Sequence, residues 1–163
     1  MLLLLSALSV SHAVSHAVSM TVSVDPLTTA IGFVHVQVEA RISDSVSLYA
    51  GPHLRLFDGI LTEGHEPYRG YGVEAGVRWF PKRGAPKGPW LMARGVAATL
   101  RTNDGEQSSP GGYASALVGW TWILGDHLVL AAGAGAQRLF YTVGDYGISG
   151  FAPAAHSNIG IAF

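Results

Sequence analysis

Histidine, arginine and glutamate recur in this 163-residue chain at every second position of otherwise apolar segments. His35, Glu39 and Arg41 alternate with Val34, Val36, Val38, Ala40 and Ile42; His53 and Arg55 alternate with Pro52, Leu54 and Leu56; Glu74 and Arg78 alternate with Val73, Ala75, Val77 and Trp79. Imidazoles gathered at one level offer nitrogen ligands to a transition metal, or a charge that changes near neutral pH. Arginine and glutamate on one face offer ion pairs, or the lining of a polar path. His156 followed by Ser157 has the composition of a base and a nucleophile. Adjacent residues of a strand point to opposite faces, however, so this pair cannot share a proton if the segment is extended.

The elements that must position these residues are strands, because period two puts successive side chains on opposite faces of a sheet. The pattern runs through 34–42, 46–57 and 70–80, weakens in 90–101, and returns in 112–124, 128–142 and 151–163. In 90–101, Arg94 shares a face with Trp90, Met92 and Val96, which leaves the outward side open. Ala116, Val118, Trp120 and Trp122 share one face of the next segment, and 128–142 is apolar on both faces and rich in small residues. Small residues inside a narrow barrel leave space for larger neighbours. Connections around Ser43-Asp44-Ser45 and Leu124-Gly125-Asp126 are tight, whereas 58–69, 102–111 and 144–150 are longer and polar or glycine-rich. The connection 81–88 carries Lys82, Arg83 and Lys87 and reads as a solvated basic turn. Short turns on one rim and long loops on the other predict an all-β, transmembrane, antiparallel up-and-down β-barrel. If the last strand ends at the short-turn rim, 30–43 runs towards that rim, so 18–24 must first carry the chain up before a turn at Asp25-Pro26. That makes about eight strands; seven, with one long kinked first segment, is the alternative. A three-residue turn at 43–45 sets His35 directly across from His53. His156 faces the same interior, adjoining His35 only if the N-terminal strand is absent.

Composition agrees with a barrel. Hydrophobic residues make up 48% and charged residues 13% of the chain, about half the charged share of an average soluble domain. Mean hydropathy is +0.29. After residue 10 no apolar run approaches the roughly 20 residues of a transmembrane helix. A net charge of −1 excludes the basic surface of a nucleic-acid binder, and the absence of cysteine excludes disulfides and thiolate chemistry. Residues 2–10 form a short apolar core, with Ser11-His12-Ala13 and Ser15-His16-Ala17 as peptidase-type small-residue sites. Residues 1–17 are therefore expected to be a signal peptide cleaved after Ala13 or Ala17, and 18–163 the barrel. The basic residues that normally precede such a core are missing, which points to a start codon further upstream.

Facing inward, Glu39, Arg41, Arg55, Glu74 and Arg78, with Arg94 as a further candidate, make a lumen polar network. A charge turned to lipid instead costs about 2–4 kcal/mol at mid-depth. A side-chain-filled lumen is expected over a gated pore. With no ligand-spacing motif, His35, His53 and His156 are expected to be satisfied lumen histidines, with no metal and no cofactor. Glu63, His65, Glu66, Tyr68 and Arg69 of the 58–69 loop suit an extracellular surface partner.

The end of the chain, Ile159-Gly160-Ile161-Ala162-Phe163, alternates and closes on an aromatic residue. It resembles the C-terminal signal by which the barrel-assembly machinery recognises outer-membrane substrates. With Val24-Asp25-Pro26-Leu27, the 36–41 stretch, Gly51-Pro52 and Gly76-Val77-Arg78-Trp79-Phe80, the region from about residue 20 to 163 resembles an uncharacterised family of small outer-membrane barrels, similar in architecture to OmpA/OmpX-type barrels. The resemblance implies the outer membrane of a Gram-negative bacterium, lipid and the assembly machinery as partners, and no catalytic residues. Ala155-His156-Ser157-Asn158 is similar to the His-x-Ser-Asn motif of an outer-membrane lipid A deacylase family, but lacks the intervening residue. A non-enzymatic barrel is therefore expected. The alternatives are a lipid A-modifying enzyme, which needs a nucleophile and base on one face, and a lipocalin-like carrier, which needs an apolar interior. Deleting Phe163 should leave protein in the periplasm or to proteases, with a milder loss of refolding into detergent. Cell fractionation beside refolding yield checks this, and equal losses in both would make Phe163 a stability residue only.

Overall fold

The computed structural model describes residues 18–57 and 68–163. The leader 1–17 and the loop residues 58–67, among them Glu63, His65 and Glu66, lie outside the described residues. The chain forms β1 (Met20–Val24), α1 (Pro26–Ala30), β2 (Phe33–Ser43), β3 (Val46–Arg55), β4 (Tyr68–Trp79), β5 (Gly88–Thr102), β6 (Ser108–Leu124), β7 (Leu128–Val143) and β8 (Tyr146–Ala162). Each strand pairs antiparallel with the next, and β1 closes the sheet on β8, with Val22 opposite Ile161. Closure leaves no sheet edge. The strand number is eight, and the segment that decides it is the shortest. β1 pairs on both sides, Thr21 facing Glu39 on β2 and Ala162 on β8. Ser19 and Met20 donate their N–H groups to the Phe163 carbonyl (2.9 and 3.3 Å), which extends the seam between β1 and β8.

The alternation is realised along the strands. Ser47, Tyr49, His53 and Arg55 of β3, and Glu74 and Arg78 of β4, are buried inside, while Leu48, Val73, Val77 and Trp79 are exposed outside. The open side of β5 resolves the same way: Trp90, Met92, Arg94, Val96, Ala98 and Leu100 all face the lumen.

Several boundaries differ from expectation. Asp25 starts a short helix where the sequence suggests a plain turn; it accepts a hydrogen bond from the Thr28 N–H (3.1 Å), with Pro26 in the first turn. The β2–β3 connection is a two-residue turn, Asp44-Ser45, rather than three residues. A two-residue turn alone would set odd positions against even ones. The extra residue Ile42, between Arg41 (opposite Ser47) and Ser43 (opposite Val46), restores the phase as a bulge, and His35 does face His53. The 144–150 loop is a correction: Gly144, in the left-handed region at φ 56°, permits a tight reversal, and β8 begins at Tyr146, well before the expected 151. The 102–111 loop likewise shrinks to 103–107 as β6 starts at Ser108. The contrast in loop length between the rims is thus smaller than expected, because glycine-rich segments with the composition of loops pair as strands.

The 81–88 connection is also more than a solvated basic turn. Lys82, Arg83 and Lys87 are exposed, but Phe80 and Ala85 are buried with Tyr49, Trp90, Met92, Leu117 and Ala154. Phe80 and Ala85 donate backbone N–H groups to Ser45 (2.8 Å) and Asp44 (3.0 Å), folding the loop across this mouth of the barrel. Towards the other rim, Tyr68, Val96, Ala98, Leu100, Tyr113, Tyr141 and Val143 form a second apolar tier, with Phe33 and Leu139 packed against it. Glu39, Glu74 and Arg78 lie between these tiers, whereas Arg55 sits within the second, against Phe33 and Tyr68.

Glycine makes the large inward side chains possible. A Cβ on Gly76 would meet the Tyr49 ring at 2.5–2.6 Å, and one on Gly119 or Gly133 would run into the Trp90 ring. Gly119→Val should therefore cost about 1–3 kcal/mol by overpacking. Gly95→Ala, where an added Cβ meets nothing within 4 Å, should cost nothing. Urea unfolding of both variants in one lipid or detergent system checks the contrast.

Candidate functional site in the barrel lumen

The lumen site comes from β2, β3, β4 and β8, whose inward positions meet because the hairpin registers keep their phases aligned. Its centre is Arg78, almost fully buried. Its guanidinium forms an ion pair with Glu39, which also accepts from the Ser47 hydroxyl. It donates towards Met92 Sδ (3.4 Å), Gln37 Oε1 (3.5 Å) and His156 Nε2 (2.7 Å). It also lies over the Tyr49 and Trp90 rings at 5.2 and 5.1 Å. Because arginine can only donate, His156 Nε2 must accept, which puts the proton of a neutral imidazole on Nδ1. That atom faces Asp25 Oδ2 at 3.5 Å.

Gln37 joins this network to the next level. Its amide nitrogen donates to Glu74 Oε1, and its oxygen accepts from Asn158 Nδ2 (2.7 Å). Glu74 Oε2 lies 2.8 Å from His35 Nδ1, although the pair is not aligned as a hydrogen bond. The His35 and His53 rings meet edge-on with centroids 4.4 Å apart, and His53 Nε2 is 3.2 Å from the Tyr141 hydroxyl. Arg55 lies under the upper rim, donating to the Tyr68 carbonyl (3.3 Å) and stacked between the rings of Phe33 (5.0 Å) and Tyr68 (4.4 Å). Arg94 donates to Ser115 Oγ (3.0 Å) and lies over Tyr113 (5.1 Å).

Of the predicted lumen residues, Glu39, Arg55, Glu74, Arg78, His35, His53 and His156 are buried inside. Arg41 is a correction. It sits where β2 bulges into the turn, its side chain 27% exposed, and it pairs with Asp44 at the rim instead of with the lumen network. The intact β1 separates His156 from His35 in the sheet. His156 and Ser157 point apart as expected. Ser157 Oγ donates to Asp25 Oδ1 (2.8 Å) and accepts from the Leu27 N–H (3.1 Å), while His156 turns to Arg78. Among the described residues, no serine or threonine hydroxyl is hydrogen-bonded to a histidine. Ile159, Ile161 and Phe163 project outward and are exposed.

Gln37, Ser47, Tyr49 and Asn158 also belong to the site. Each shares the parity of its charged neighbours, so the alternation contains the signal. Asp25 had none: as a turn residue it gave no sign that its carboxylate would be fully buried beneath α1 and against β8.

Fold and site together define a closed eight-stranded antiparallel barrel with a charged, side-chain-filled lumen and an apolar exterior. Comparison of the chain with protein-family models, curated proteins and solved structures finds no match.

Removing one partner of a buried ion pair strands the other charge, which costs about 3–5 kcal/mol, whereas replacing both costs far less. Arg78→Met should destabilise the barrel by that amount, and Glu39→Gln with Arg78→Met should recover most of it. A double-mutant cycle by urea unfolding checks the coupling.

Proposed function

We propose that this chain is a non-enzymatic outer-membrane β-barrel protein of a Gram-negative bacterium, of the OmpA/OmpX-type architecture, with a lumen filled by side chains. The observation that carries this is the outward face. Val73, Val77, Leu91, Val118, Leu128, Ile148, Ile159 and Ile161 are all exposed on a barrel whose interior holds buried arginine, glutamate and histidine. This polarity suits a hydrocarbon surround, and it is the reverse of a lipocalin-like carrier. Soluble monomers rarely expose so large a contiguous apolar surface.

Aromatic residues bracket the band. Trp79, Trp120, Trp122 and Phe163 lie towards the rim of the tight turns, and Tyr71, Phe140 and Phe151 towards the other. From Tyr71 to Trp79 along β4 is eight strand steps of about 3.3 Å, or roughly 20 Å of height at a tilt of about 40°. Girdles at that separation match a thin outer-membrane core. No described helix is long and apolar enough to cross a membrane, so spanning falls to the strands. The C-terminal stripe of Ile159, Ile161 and Phe163 is exposed, as contact with lipid and the assembly machinery requires.

The role is assigned to the barrel wall and its loops rather than to chemistry in the lumen. A lipid A-modifying activity needs a nucleophile and base on one face near the outer rim, and Ser157 and His156 are turned apart.

Fractionation should recover the protein with outer membranes, released by detergent and not by osmotic shock. Ala75, exposed and midway between Tyr71 and Trp79, supplies the physical test. Ala75→Arg should lower stability in phospholipid vesicles by about 2–4 kcal/mol. A soluble barrel would carry that arginine within about 0.5 kcal/mol, as surface substitutions usually are.

A further inference from the structure

Buried polar atoms without a hydrogen-bond partner occur at both lumen levels. Around Arg78 they are Tyr49 Oη, His156 Nδ1 and Asn158 Oδ1, which form no cluster of metal-ligating groups. One level up, His35, His53 and Glu74 are all buried, and one ligand-capable atom from each lies within 4.8 Å of the others. His35 Nε2 and His53 Nδ1 have no hydrogen-bond partner, and neither His35 Nδ1 nor Glu74 Oε2 is aligned to the other. Buried polar atoms without partners are uncommon and expensive, and a bound ion is one of the few arrangements that satisfies several at once.

We propose that His35, His53 and Glu74 form a binding site for a divalent transition-metal ion of the zinc class. Two imidazoles and one carboxylate are a donor set that such ions take with an open fourth position. Around a tetrahedral ion with bonds of about 2.0 Å, ligand atoms stand roughly 3.3 Å apart. The 4.8 Å spread therefore requires the ligand atoms to close by about 1.5 Å when the ion binds. Turning the His35 ring gives up the 2.8 Å approach of its Nδ1 to Glu74 Oε2, which a shared ion between these side chains would replace.

The surroundings are those of supported ligands. Gln37 Nε2 holds Glu74 Oε1, leaving Oε2 for the ion. The Tyr141 hydroxyl holds His53 Nε2 at 3.2 Å, leaving Nδ1. Groups that hold the far side of a ligand fix its orientation and tautomer. The residues come from three adjacent strands: His35 faces His53 across β2–β3, and His53 sits one strand from Gly72, two residues before Glu74. No short sequence motif could reveal this set. The Arg94 guanidinium, stacked on the Tyr113 ring that meets His53 at 5.7 Å, opposes a second positive charge. Affinity should accordingly fall below that of a closed structural zinc site. The aromatic tier above slows entry, so metal is best supplied while the barrel folds.

The test uses the whole chain refolded into detergent micelles with zinc chloride, freed of loose metal by gel filtration, and assayed for metal per chain. About one zinc per chain is expected, falling at least tenfold in His53→Ala and in Glu74→Gln, and unchanged in His156→Asn. His156 is an equally buried histidine outside the set. Refolding the unaltered chain with cobalt chloride provides a reading that depends on no variant, through the visible absorption of nitrogen- and oxygen-ligated cobalt. Zinc absent from the unaltered chain, zinc retained in both ligand variants, or zinc lost equally in His156→Asn overturns the site. If the ligand variants do not fold, a cobalt spectrum like that of the ion in buffer overturns it alone.

Discussion

A closed eight-stranded barrel leaves an interior just wide enough for its own side chains. Every group turned inward must find its partner among the few residues opposite, because there is no room for bulk water to solvate it. Arg78 bears the consequence. One guanidinium meets Glu39, Gln37, Met92 and His156 and lies over two aromatic rings, which draws β2, β4, β5 and β8 onto a single side chain. The position of each partner depends on hairpin register, and a slip of one residue would turn these charges outward. The polar lumen is therefore also a register device. Its worth lies less in net stability, since buried ion pairs seldom exceed a well-packed apolar core, than in the cost of every misaligned alternative.

The same narrowness explains the glycines and the two apolar tiers. Trp90 can lie across the lumen only because Gly119 and Gly133 present no side chain to it. Its indole N–H finds Thr121 at 3.0 Å, so the largest buried residue brings no unmet donor. Phe80 and the loop behind it close one mouth, and the tyrosine-rich tier around Tyr141 covers the charged layer from the other side. The charges are thus held at lower effective dielectric, where paired groups attract more strongly and unpaired ones cost more. Both cases occur in the lumen: Arg78 and Glu39 are paired, whereas His35 Nε2 and His53 Nδ1 have no hydrogen-bond partner.

Asp25 supplies the link at the seam. β1 is only five residues long, too short to secure closure by its ladder alone. The Asp25 carboxylate caps α1, accepts from the Ser157 hydroxyl and faces His156. It therefore ties the start of the chain to the last strand at the point where the barrel joins itself. The Phe163 carbonyl does the same at the opposite end of β1.

The all-β antiparallel barrel, the inward or outward sense of the residues in β2, β3, β4 and β8 and the facing of His35 and His53 are all legible in the bare chain. They rest on period two and hairpin phase, which are local properties. Gln37, Tyr49 and Asn158 were legible as lumen residues too, through the parity they share with charged neighbours. Long-range packing settled the features that parity cannot express. The displacement of Arg41 to the rim came from a bulge one residue away, and the strand pairing of 146–150 from a glycine turn that looks like a loop in composition. Asp25 was buried by a helix and a strand from opposite ends of the chain, and Phe80 by a loop folding back across the mouth. The grouping of Glu74 with two histidines on other strands arose in the same way. In each case the deciding contact lies between residues far apart in sequence, or between a strand and its connection, where local periodicity carries no information.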